Sequence, residues 1–78
     1  MPRFFFHVYD DSVVRDEEGL ELADGEAARR TAIVGLRAIV ADEVKKGALD
    51  LSRRIEVEDE SGAVVAAMTV ADVVQFRS

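Results

Sequence analysis

The sequence predicts an α+β fold in two layers: a mostly antiparallel sheet in the order ββαββ, one long helix on one face, and a short C-terminal helix. Residues 25–46 carry apolar side chains at helical spacing, whereas the flanking segments alternate with a period of two between Gly-, Asp- and Ser-rich turns. The 78 residues leave room for one domain, residues 1–78, with a modest core.

Residues 4–9 are aromatic and β-rich and read as a strand. Phe4, Phe6 and Val8 point to one face, Phe5, His7 and Tyr9 to the other. Asp10, Asp11 and Ser12 make a turn, because Asp and Ser bond their own backbone locally. Val13, Val14 and Arg15 form the return strand, residues 16–19 a second turn, and residues 20–22 a brief extension of the sheet. Asp24 is placed to cap a helix, its carboxylate accepting an orphan amide of the first turn. At 100° per residue Ala28, Ala32, Ile33, Leu36, Ile39, Val40 and Val44 gather on one helix face. Lys45 and Lys46 suit the negative end of the helix dipole, and Gly47 ends the helix. Gly35, which costs about 1 kcal/mol relative to Ala, reads as tolerated rather than as a contact point. Leu49 or Leu51 is expected to plug the core edge. Residues 53–58 alternate, with Ile55 and Val57 opposite Arg54, Glu56 and Glu58. Residues 60–63 form a hairpin turn. Residues 64–70 are a strand apolar on both faces, and Thr69 caps a helix over 70–76 anchored by Val73, Val74 and Phe76.

With the long helix on one sheet face, the other carries Phe5, His7, Tyr9, Val65 and Ala67. That much apolar surface calls for cover by the terminal helix or by a second chain. Cysteine is absent and His7 is the only histidine, so neither a disulfide nor a two-histidine metal site is available within one chain. Self-association is the remaining route to a larger core. A homodimer is therefore expected, with Phe5, His7, Tyr9, Val65, Ala67 and Phe76 as candidate interface residues.

The net charge is −6. An acidic surface repels phosphate backbones and anionic lipid, so neither nucleic acid nor membrane is an expected partner, while a basic protein is. Phe5 and Tyr9 resemble a base-stacking platform, but such platforms work in a basic surround. No stretch approaches the ~18 apolar residues that span a bilayer. The N-terminal apolar run is short and lacks a small-residue cleavage site, which points to the cytoplasm. His7 has no nucleophile or second ligand near it in sequence. The acidic stretch from Asp10 to Glu26 departs from the spacing of a calcium loop. No catalytic activity, cofactor or metal is expected.

The opening Met1-Pro2-Arg3-Phe4-Phe5-Phe6-His7-Val8, the turn Arg15-Asp16-Glu17-Glu18-Gly19 with Leu20-Glu21-Leu22, the Ala27-Ala28 helix start and the late Glu56-Val57-Glu58-Asp59-Glu60-Ser61-Gly62 together resemble a family of small uncharacterised proteins. That family, a domain of unknown function, is common in rhizobia and related alphaproteobacteria. The resemblance covers nearly the whole chain and implies a bacterial protein with no catalytic residues to carry over. The segment Asp24-Gly25-Glu26-Ala27 is also similar to the helix entry of HicB-type antitoxins, which follows a strand hairpin and an acidic turn. That likeness implies an acidic module that neutralises a basic toxin.

Overall fold

A computed structural model describes residues 1–75 and 77. Its strands are β1 (Arg3–Tyr9), β2 (Val13–Val14), β3 (Leu20–Glu21), β4 (Arg54–Glu58) and β5 (Val64–Thr69). Its helices are α1 (Gly25–Lys45) and α2 (Val70–Val73). The sheet runs β2-β1-β4-β5, with every pair antiparallel, and β3 pairs with the start of β1. This is the α+β arrangement the sequence predicts. The two hairpins follow from their turns. Asp10 Oδ1 accepts the Ser12 amide at 2.9 Å between β1 and β2, and Asp59 Oδ1 accepts the Ser61 amide at 2.9 Å between β4 and β5.

The helix starts where Asp24 Oδ1 accepts the Ala27 amide at 2.8 Å, and Gly47 follows its end with a φ of +88°. Ala28, Ala32, Leu36 and Val40, four apart, are its buried residues. The first three close over Phe4 of β1, Ile55 and Val57 of β4 and Met68 of β5, with Phe6, Val8 and Leu22 packed at the margin. The two alanines let the helix approach the sheet, and Leu36 fills the centre without exposure. Val44, expected on the buried stripe, is 58% exposed. Leu49 is half-buried and Leu51 exposed, so Leu49 is the residue that turns inward after the helix.

Thr69 precedes α2, and the Asp72 carboxylate reaches back to the Thr69 amide at 2.8 Å. The expected helix over 70–76 is observed as Val70–Val73, and Phe76 lies outside the described residues. Val70 and Val73 are buried, and Arg37 Nε donates to the Val73 carbonyl at 2.7 Å, which ties α2 to α1. The terminal helix therefore sits on the α1 side and leaves the reverse face of the sheet alone. The backbone spans 17 Å in its thinnest direction, enough for one helix on one sheet and no third layer. Among the described residues no helix is long and apolar enough to cross a membrane.

Candidate functional site

The reverse face of the sheet is where the candidate residues meet. Strand alternation carries Phe5, His7 and Tyr9 to it from β1 and Arg54, Glu56 and Glu58 from β4, so a charged row runs down its middle. His7 is 2% exposed, enclosed by its own chain. The loop of residues 15–19, between β2 and β3, curls onto this face and donates the Asp16 amide to His7 Nδ1 at 3.0 Å. A nitrogen that accepts carries no proton, so the bond places the ring hydrogen on Nε2. Nε2 faces Glu58 Oε1 at 3.5 Å, longer than a good hydrogen bond, and Arg15 approaches the same oxygen at 3.9 Å. His7 is thus used to hold a loop, and it is not presented to a partner.

Asp16 fastens the other side of that loop. Its Oδ2 accepts the Phe6 amide at 3.1 Å, and Oδ1 accepts the Gly19 and Glu18 amides at 3.0 and 3.2 Å. Burial by itself raises this carboxyl, but the amides of Gly19, Phe6 and Glu18, with His7 nearby, outweigh it and hold the group below its ordinary value. Arg3 adds a clamp, donating Nη1 to the Glu18 carbonyl at 2.8 Å and pairing with Glu21 at 2.9 Å. Gly19 lies so close to β1 that a Cβ there would meet Arg3 Cγ, the Phe4 carbonyl oxygen and Phe5 Cε2 within 2.9 Å. Its φ of +72° also favours glycine. The sequence marks Asp16 and Gly19 only as turn residues, since the contact with β1 is tertiary.

The remaining candidates separate into two groups. Phe5 is half-buried against Gly19, and Tyr9 is half-buried with the Arg54 guanidinium 4.4 Å from its ring centroid. Arg54 also pairs with Glu56 at 3.1 Å. Val65 is 44% exposed and Ala67 is exposed, both on β5. Phe76 lies outside the described residues. The structure therefore brings Phe5 and His7 together under the 15–19 loop, leaves Tyr9 against Arg54 at the far end of β1, and places Val65 and Ala67 apart, beyond β4.

The two sheet edges differ in kind. On the β1 side the outer edge is lined by β2 and β3, two residues each, with the 15–19 loop between them. On the other side β5 pairs with β4 and, among the described residues, with no further strand. Residues 61–71 carry no charge, so β5 offers unpaired backbone groups flanked by Val64, Val65 and Ala67. A register shift between Val57 and Glu58 opposite the start of β5 is the one irregularity along it. An open groove of about 560 Å³ lies elsewhere, between α1 and β2, with Val8, Val14, Ala38 and Ile39 as its apolar lining. At its rim Arg53 pairs with Glu43 and with Asp10, and Lys46 with Asp42. Among the described residues no group of three or more His, Asp or Glu side chains is arranged to hold a metal ion.

Comparison with known proteins returns one match. A family model described as a domain of unknown function, DUF6894, matches residues 3–71, which takes in every element except the last two residues of α2. No curated protein and no solved structure matches the chain.

Proposed function

The chain belongs to the DUF6894 family, and for this member we propose a non-catalytic role as a self-associating protein-interaction domain. The observation that carries the reading is β5, an uncharged strand whose outer edge has no partner among the described residues, in a chain of net charge −6. Two copies of such a chain repel one another over most of their surfaces. They approach most cheaply where charge is absent, along residues 61–71. A strand that meets its own two-fold image pairs antiparallel, and the contact is closed and self-complementary. Val65 and Ala67 border the seam in that pair, whereas Phe5 and Tyr9 lie two strands in from it.

Ala67→Lys tests this. Ala67 lies opposite Glu56, so the new ammonium has a carboxylate to pair with inside one copy, while a pair gathers two like charges along its seam. Light scattering on the wild type is expected to give the mass of two chains, and on the variant the mass of one, with unchanged circular dichroism. A wild-type mass of one chain overturns the reading.

A second reading, an acidic antitoxin-like module acting on a basic protein in a bacterial cytoplasm, draws on Asp11, Glu17 and Glu18, all exposed along the β2–β3 side. Retention of a basic partner at low salt and its release at high salt is the outcome that favours it.

A further inference from the structure

We propose that the 15–19 loop is a latch that closes the outer edge of β1 against a second copy, and that this limits self-association to a closed pair. The inference rests on the reading of β5 as a docking edge. A sheet with both edges open admits the β5 of another copy along its β1 side. That contact is head-to-tail, has no reason to close, and grows into a filament. One closed edge and one open edge instead give a two-fold pair.

The geometry shows how β1 is closed. β2 and β3 cover its two ends, at Val8–Tyr9 and Arg3–Phe4, and leave the middle without a partner strand. There the Phe6 amide, which on an open edge would await an incoming carbonyl, is taken at 3.1 Å by the Asp16 carboxylate. A side chain takes the place of a strand for this amide, so an incoming chain finds no free donor there. The bond to His7, the bonds from Glu18 and Gly19 to Asp16, and the Arg3 clamp hold the loop in place. The close approach of Gly19 to Phe5 leaves no gap for another backbone. The chain's apolar edge residues Val13, Val14 and Leu20, 50%, 64% and 47% exposed, flank the latch and would border an incoming strand once it opened.

Two variants of the full chain probe the latch by different routes. Gly19→Ala wedges the loop away from β1, because its Cβ has no room. Asp16→Asn weakens the acceptor of the Phe6 amide. The expected result for Gly19→Ala is a mass that climbs beyond two chains as concentration rises, and a return to small species when Ala67→Lys is added. A folded Gly19→Ala chain that stays a pair overturns the latch. Hydrogen exchange at the Phe6 amide reads it independently of assembly. The wild type is expected to protect this amide, and Asp16→Asn to exchange it at least tenfold faster. A Phe6 amide as fast in the wild type as in an open strand overturns the latch even if neither variant folds. A single-chain wild type with a protected Phe6 amide removes the self-association reading and leaves the closed edge standing.

Discussion

Asp16→Asn is expected to destabilise the protein by about 2 kcal/mol near neutral pH, because hydrogen bonds to a charged acceptor each contribute roughly 1.5–3 kcal/mol and the neutral amide retains part of them. The Asp16 carboxylate accepts the Phe6, Glu18 and Gly19 amides, and its folded value lies below the ordinary 3.8. A depressed acid stabilises the fold fully above its unfolded value and loses that contribution as pH falls through the folded one. The gap between wild type and variant is therefore constant from neutral pH down to about 4 and narrows below it. Urea unfolding across that range measures it, and a gap that stays constant in acid would show that Asp16 acts without its charge. His7 belongs to the same arrangement. Its Nδ1 accepts the Asp16 amide and its ring is out of solvent.

At the scale of elements, α1 makes a prediction in two parts. A Cβ at Gly35 meets nothing within 4 Å, so Gly35→Ala adds helix propensity without a clash and is expected to stabilise by about 1 kcal/mol. Gly47 has equally open surroundings but a φ of +88°, and the same change there is expected to cost about 1 kcal/mol. Thermal melts of the two variants should move in opposite directions; a shared direction would mean that space rather than backbone conformation decides. Both glycines were readable from the sequence, as were the Asp24 cap and the buried stripe Ala28–Ala32–Leu36–Val40, because each depends on local spacing. The turn at Asp10–Ser12 was readable by its mechanism, and those after Asp50 and Asp59 were only half readable. Asp10, Asp50 and Asp59 each accept the amide of the Ser two residues on, so Asp-x-Ser is a repeated local signal that a search for turn dipeptides passes over. The Ser52 hydroxyl first of all holds the Asp50 carboxyl low, as the Ser61 hydroxyl does for Asp59. The 15–19 loop was not readable. Its turn residues were visible, but its seat on β1 depends on contacts made only after the sheet forms. That seat is why His7 and part of Phe5 are already covered, and why the apolar edge lies at β5 and not at the aromatic strand.

For the whole molecule, charge and association combine into a prediction about salt. Each copy carries −6, so two copies brought to a common seam repel through the solvent. The seam itself, residues 61–71, has no charge to lose to screening. Added salt shortens the reach of the repulsion, from a Debye length of roughly 30 Å at 0.01 M to about 10 Å at 0.1 M, while the apolar and backbone contacts remain. Self-association is therefore expected to tighten as salt rises over that range. Binding of a basic partner to the acidic side has the opposite sign, since salt removes an attraction there. Sedimentation equilibrium at low and moderate ionic strength measures the sign directly. A pair that falls apart as salt is added would mean that opposite charges meet at the seam, and a neutral β5 edge has none to contribute.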